Sequence, residues 1–322
     1  MREPRCATGD ITMHYRSWLF VPGDSERKLG KAMGAGADVV IVDLEDSVAL
    51  EAKPVARERA VQWLHAHRTQ IIEQRACKRW VRINSLDSGL WRDDLVAVMP
   101  SAPDGIMLPK AEGPESVRML AAELYELEQR SQVPSGSTRI LPLVSETPRA
   151  ALTIGTYVGE KHQRLAGLSW GAEDLSSAIG ATRKHEAKGG WTDAFRLVRA
   201  QTLLAAHACE IMAIDTLHAD FADTKGLKLA AEAASADGFT GMLAIHPGQI
   251  EIINAAFTPS DESLAEARAI VAAFAANPGA GALQIDGRMI DQPHLKLARR
   301  ILGQEAGGEE SQAPRGAVLR PA

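Results

Sequence analysis

A closed barrel of eight parallel strands alternating with helices, followed by a C-terminal extension, is the fold this sequence predicts. Eight short apolar segments recur along the chain, separated by Ala-, Glu- and Arg-rich stretches with helical spacing. Most of the eight are near-continuous runs of Val, Ile and Leu, as parallel strands buried on both faces require. Strand and helix alternate without a run of consecutive strands. That favours a (β/α)8 (TIM) barrel over a sandwich, and over an open doubly wound sheet.

In chain order the expected strands are Trp18–Val21, Val39–Leu44, Trp80–Ile83, Gly105–Leu108, Ile140–Val144, Leu165–Ser169, Ile211–Ile214 and Met242–Ile245. Glu115–Arg130 and Ala194–His207 are typical of the helical stretches between them. After Pro247 the pattern changes. A helix over Asp261–Ala276 ends at the breaker Asn277-Pro-Gly-Ala-Gly, and a short helix is expected over His294–Leu302. The resulting division is an N-terminal tail (1–15), a barrel (16–257), an extension able to act as a lid (258–302) and a disordered tail (303–322) rich in Gly, Glu, Pro and Arg.

Length and charge narrow the function. The 322 residues suffice for one barrel, which typically takes about 250. The formal charge of −5, with both signs interspersed, offers no field for nucleic acid or an anionic membrane. No apolar stretch approaches the roughly 20 residues of a membrane span, and Met1–Tyr15 lacks the apolar core of a secretory signal. Cys6, Cys77 and Cys209 are odd in number, far apart and outside any Cys-x-x-Cys pattern, so a reducing cytoplasm is expected.

The strand ends carry the chemistry. The fifth strand runs into Glu146, and the sixth reaches Glu173-Asp174. In a closed parallel barrel such ends share the C-terminal rim, where side chains from different strands converge on one substrate. Two carboxylates there suit a hard cation such as Mg²⁺, which takes few protein oxygens and leaves positions for substrate and water. The second strand runs into Asp43, Glu45 and Asp46, the third into Arg82 and Asn84, the fourth into Lys110. Acids beside bases fit a metal and a carboxylate-bearing substrate, which the planar fork of Arg82 could grip. The plain alternative is that these charges cap helices and form rim ion pairs. It weakens when several strands end this way together.

These residues form segments that resemble a known family. Arg16–Gly23 (RSWLFVPG), Val39–Val48 (VVIVDLEDSV), Val81–Asn84 (VRIN), Gly105–Glu112 (GIMLPKAE), Leu141–Ala150 (LPLVSETPRA), Leu168–Leu175 (LSWGAEDL), Ala244–Ile250 (AIHPGQI) and Asp286–Pro293 (DGRMIDQP) are similar, in order, to the citrate lyase β-subunit-like family. That family includes malyl-CoA and citramalyl-CoA lyases and belongs to the HpcH/HpaI aldolase superfamily. The resemblance implies a Mg²⁺-dependent barrel enzyme, with Mn²⁺ as a substitute, that makes or breaks a carbon–carbon bond between an acyl-CoA and a 2-oxo acid. It implies Glu146 and Asp174 as metal ligands, and Arg82 as the group that holds the oxo acid and stabilises charge. Glu45 and Asp46 match acids that hydrogen-bond metal-bound waters. Asp291 matches a catalytic acid/base delivered by the lid of a neighbouring subunit, in a homo-oligomer expected to be a trimer or hexamer. Arg16, Arg27 and Lys31 match basic positions near the CoA phosphates, and Asp43 falls among the substrate-binding residues. For Asp291 the plain alternative is a helix N-cap beside Pro293.

Two departures bear on the substrate. Pro148 stands in SETP where relatives often have Ala, and Trp170 where they usually have Phe, which could reshape the oxo-acid pocket. Two rival activities also arise. A CoA-thioester hydrolase could use the same metal and CoA groove. Gly167-Leu-Ser-Trp-Gly171 is formally a serine-hydrolase nucleophile elbow, with Ser169 as nucleophile, His207, His218 or His246 as base and Asp215 as its orienter, but no HGGG-type oxyanion loop accompanies it.

Overall fold

The computed structural model describes residues 15–68, 77–159, 162–187 and 189–310, with side chains to residue 303. The chain forms two compact units, one spanning Tyr15–Phe257 and the other running from Thr258.

The first unit is a (β/α)8 barrel. Its strands are β1 (Ser17–Pro22), β2 (Val39–Asp43), β3 (Lys78–Arg82), β4 (Gly105–Leu108), β5 (Arg139–Pro142), β6 (Gly167–Ser169), β7 (Met212–Asp215) and β8 (Gly241–Ala244). They pair in parallel in the order β5-β4-β3-β2-β1-β8-β7-β6. Parallel bridges Ile140↔Leu165 and Leu143↔Ser169 join β5 to β6 and close the ring. The helices are α1 (Glu26–Ala32), α2 (Lys53–Arg68), α3 (Trp91–Val98), α4 (Pro114–Arg130), α5 (Pro148–Thr153), α6 (Ala172–Ala178), α7 (Asp193–Ala208), α8 (Thr224–Asp237) and α9 (Ile250–Ala256).

Each strand buries both faces. In β2, Val39 and Ile41 point into the barrel, while Val40 and Val42 meet the helices. The helices answer with stripes at helical spacing, as in α4, where Val117, Leu120, Ala121, Leu124 and Leu127 are buried. Inside the barrel Trp18 and Trp80 pack edge to face with centroids 5.1 Å apart. Their bulk is accommodated by a small neighbour: a Cβ on Gly105 would lie 2.5 Å from the Trp80 ring.

In the second unit α10 (Asp261–Ala276) is followed by the hairpin β9 (Ala282–Ile285) and β10 (Arg288–Asp291), then α11 (Gln292–Glu310). Asp286 and Gly287 turn the hairpin with φ of 48° and 78°, the left-handed pair a two-residue turn needs. Phe274, Ile270, Ile290 and Leu295 share its small core. The helix expected over His294–Leu302 is longer than predicted, so helical backbone continues past the expected start of the tail at Gly303. Gln304, Glu305 and Ala306 are good helix formers, which a reading guided by the glycines underweights. Residues 1–14 and 311–322, which hold most of the two expected tails, and Cys6, lie outside the described residues. Among the described residues no helix is long and apolar enough to cross a membrane.

Candidate active site

Strand parity builds the first part of the site. Asp43 continues the inward series Val39–Ile41, and Arg82 continues the inward series from Trp80; parallel pairing sets the two opposite each other. Arg82 Nε and Nη2 both donate to the Asp43 carboxylate at 2.7 Å, a fork-to-fork pair. Phe20 lies under the guanidinium, 4.8 Å from ring centroid to Cζ. Asp43 is also met by the amides of Glu45 (2.9 Å) and Ser47 (3.3 Å). Burial alone would raise its pKa, but Arg82 overrides this and holds it below the usual carboxylate range. Arg82, whose proton affinity burial alone would lower, is held above its ordinary value by Asp43, Glu45 and Glu146.

The loop after β2 is pinned from beneath. Lys53 donates to the Leu44 and Glu45 carbonyls at 2.7 and 2.8 Å, and Asn84 donates to Leu44 O at 3.0 Å. So held, Glu45 lies between two cations, 3.0 Å from Arg82 Nη1 and 2.5 Å from Lys110 Nζ. Lys110 also reaches Asp46 at 3.3 Å and stands 3.9 Å from Asp174.

Glu146 follows β5 and is almost fully buried, with Oε2 accepting the Lys110 amide at 2.7 Å. It packs against backbone: a Cβ on Gly171 would sit 2.8 Å from Glu146 Cγ, so only glycine fits there. Asp174 lies in the first turn of α6 instead of at the strand end expected for it, since β6 stops at Ser169. Burial, then the charges of Asp174 and Glu45, push the Glu146 pKa up to about 8. Among the described residues no three His, Cys, Asp or Glu side chains converge as a ready-made metal cage. Glu146 and Asp174 are nonetheless close enough for the charge of one to act on the other.

Other sequence expectations fare differently. Arg27 and Lys31 are exposed on α1, beyond the C-terminal end of β1. Arg16 precedes β1 and so lies at the opposite end of the barrel, where it forms a buried two-point pair with Asp38 at 2.9 Å. A residue before its strand cannot reach the C-terminal rim, and the expectation of a phosphate contact there is corrected. Asp43 is buried with both oxygens engaged by Arg82, so within the protein it orients the guanidinium. Asp291 ends β10 in the second unit; its Oδ1 is 2.5 Å from His294 Nδ1, and its amide donates to the same ring nitrogen at 3.2 Å.

Trp170 is wholly buried in the layer between strands and helices. Its Nε1 donates to Asp215 at 2.6 Å, and Arg199 donates to the same carboxylate at 2.8 Å. Its indole therefore fastens β6 to β7 and α7 and does not line the barrel interior. The Ser169 elbow fails on burial and partners: its side chain points opposite to that of Trp170, its hydroxyl is fully buried with no hydrogen-bond partner among the described residues, and Asp215 is committed to Arg199 and Trp170. Pro148 is explained locally, since Thr147 caps α5 by accepting from Ala150 N at 3.0 Å, and proline suits the first helical position. Sequence reasoning noted Lys110 as a rim base but gave it no role. The signal available was its position at a strand end otherwise crowded with acids.

The profile of the HpcH/HpaI aldolase/citrate lyase family matches residues 16–247. A mitochondrial citramalyl-CoA lyase of Rattus norvegicus is 32% identical over 300 residues, covering 89% of this chain and 85% of that one. A (3S)-malyl-CoA thioesterase of Cereibacter sphaeroides is 31% identical over 296 residues, covering 90% and 94%. The crystal structure of CitE from Mycobacterium tuberculosis in complex with magnesium, acetoacetate and coenzyme A superposes with a TM-score of 0.71 at 34% identity, covering 91% of this chain and 98% of that one. With the closed barrel and its acid-rich rim, these matches make the chain a member of the HpcH/HpaI aldolase/citrate lyase family.

Proposed function

We propose that this protein is a Mg²⁺-dependent carbon–carbon lyase. It cleaves a 3-hydroxyacyl-CoA dicarboxylate such as malyl-CoA, citramalyl-CoA or citryl-CoA into acetyl-CoA or propionyl-CoA and a 2-oxo acid. The observation that carries this reading is one barrel rim holding a part-buried, pre-oriented guanidinium beside Glu146 and Asp174, two carboxylates close enough that the charge of one raises the pKa of the other. The citramalyl-CoA lyase relative and the magnesium, acetoacetate and coenzyme A in the CitE structure support it.

Glu146 and Asp174 would hold the ion, which when bound acidifies the substrate hydroxyl and neutralises the adjacent carboxylate. In cleavage the hydroxyl proton passes to water at the rim, the carbon–carbon bond electrons move into the thioester, and the resulting enolate carbon takes a proton. Arg82, fixed by Asp43 and Phe20, places positive charge where the enolate oxygen develops. Asp291 supplies the proton at carbon, and in the condensing direction removes it from the acetyl methyl. Glu45 and Asp46 order water at the rim, while Arg27 and Lys31 attract the CoA phosphates. A cytoplasmic homo-oligomer, trimeric or hexameric, completes the reading, with one subunit's extension supplying Asp291 to another's barrel.

Incubating the protein and Mg²⁺ with the three CoA esters and methylmalyl-CoA, with and without EDTA, tests it by mass spectrometry of the CoA species and acids. Acyl-CoA plus a 2-oxo acid, blocked by EDTA, is the expected result. Free CoA plus intact hydroxy-diacid would establish instead the thioesterase reading, which the malyl-CoA thioesterase relative favours. No turnover of any ester would overturn both.

A further inference from the structure

We infer that Lys110 keeps Glu45 and Asp46 out of the cation's own coordination shell, and so leaves open the positions that substrate oxygens must take. The inference rests on the reading that Glu146 and Asp174 hold Mg²⁺. Lys110 has φ of +51°, a left-handed conformation uncommon for a residue with a side chain. In that conformation its amide meets Glu146 Oε2 at 2.7 Å while its ammonium meets Glu45 at 2.5 Å and Asp46 at 3.3 Å. The other Glu45 oxygen is 3.0 Å from Arg82.

The rim cations thus divide the acids. Glu45 accepts from Lys110 at one oxygen and pairs by charge with Arg82 at the other, while Asp46 is held at one oxygen by Lys110. Among the described residues the hydrogen bond given to Glu146 is the Lys110 amide's, and the ammonium stands 3.9 Å from Asp174. A divalent ion attracts every carboxylate within reach, and Mg²⁺ takes only six ligands. Were Glu45 and Asp46 free to swing onto it, four carboxylates would crowd the shell and displace the waters a substrate exchanges with. Lys110 is a positioning residue by this argument, acting on the acids without touching substrate.

The test is calorimetric titration of EDTA-stripped full-length protein with MgCl2, comparing wild type with Lys110→Met, Lys110→Gly and Lys110→Arg. Glycine adopts φ of +51° without strain, which guards against misfolding, and melting temperatures check each variant. Met and Gly variants are expected to bind Mg²⁺ about tenfold tighter, because a nearby positive charge is gone and two more acids are released. Water-proton relaxation of bound Mn²⁺ should report fewer exchangeable waters, and KM for the CoA ester should rise. The Arg variant should retain wild-type affinity. Unchanged or weaker Mg²⁺ binding in folded Met and Gly variants overturns the inference. Wild-type Mg²⁺ binding by Glu146→Gln would instead overturn the metal-site reading beneath it.

Discussion

At the N-terminal end of the barrel each acid is met by bases of its own, Arg16 gripping Asp38 and Arg164 gripping Glu128 through two hydrogen bonds each, and Lys78 with Arg79 facing Asp104. At the C-terminal end Asp43, Glu45, Asp46, Glu146 and Asp174 share Arg82 and Lys110. In the first arrangement each of these acids has its base, and the pairs tie loops: Glu128 also accepts the amides of Gly136 and Thr138 at 2.7 and 3.0 Å. The second carries excess negative charge in a partly buried place, which folding alone gives no reason to keep. Charges of similar type thus serve stability at one end and chemistry at the other, the division that barrels of this kind make between their two faces.

Removing the unbalanced acids should cost function and spare the fold. Glu146→Gln or Asp174→Ala is expected to lower metal-dependent turnover at least about a thousandfold, with circular dichroism and melting temperature retained. Full activity in either variant would erase the distinction between the two ends. Next in size is Asp291→Ala, for which turnover should fall by about 10² to 10⁴ while calorimetric Mg²⁺ affinity stays unchanged. Retained turnover would reduce Asp291 to a partner of His294 at the start of α11. The reciprocal result is expected at the N-terminal end. Arg164→Ala leaves Glu128 buried and unpaired and should destabilise by about 3–5 kcal/mol in urea titration, with kcat unchanged in the folded fraction. A large loss of kcat at constant stability would refute a structural role.

How much of this was legible depends on which physical rule governed each residue. The eight strands were, because burial on both faces demands continuous apolar runs, and β2 and β4 spell them out as Val-Val-Ile-Val and Gly-Ile-Met-Leu. The meeting of Asp43 with Arg82 was available in principle from parity and register, since both occupy inward positions one step above large core residues. Arg16 was misplaced because a motif match says nothing about which end of a strand a residue occupies. Trp170 was expected at the substrate pocket, whereas its neighbours Leu168 and Ala172 face the helices with it. The hairpin at Asp286-Gly287 carried its signal openly, but the segment was read for its aspartate and not for its turn. Lys110's conformation and its four acidic neighbours had no sequence signature, because they depend on four separate strand ends arriving at one place.

The smallest predicted effect concerns pH and touches the C-terminal end alone. The Glu146 pKa of about 8 arises from burial and from the neighbouring carboxylates Asp174 and Glu45. Below that pH the metal-free site is mostly protonated at Glu146, and a cation must displace the proton to bind. Apparent Mg²⁺ affinity is therefore expected to rise about tenfold per unit between pH 6 and 8 and to level off above it. The sign for stability is the opposite. A folded-state pKa raised above its unfolded value of 4.5 contributes stability that is full below about 4.5 and is lost as pH rises towards 8. The metal-free protein should accordingly soften over that window, Mg²⁺ should restore it most at the alkaline end, and Glu146→Gln should flatten both trends. The Arg164–Glu128 pair supplies the control: burial there is outweighed by Arg164 and two amides, which hold Glu128 below its ordinary value, so its stabilisation is lost only as pH falls into the acid range. Mg²⁺ affinity that stays level from pH 6 to 8 would mean that Glu146 is already ionised there, and that the excess charge at the rim is compensated without an added ion.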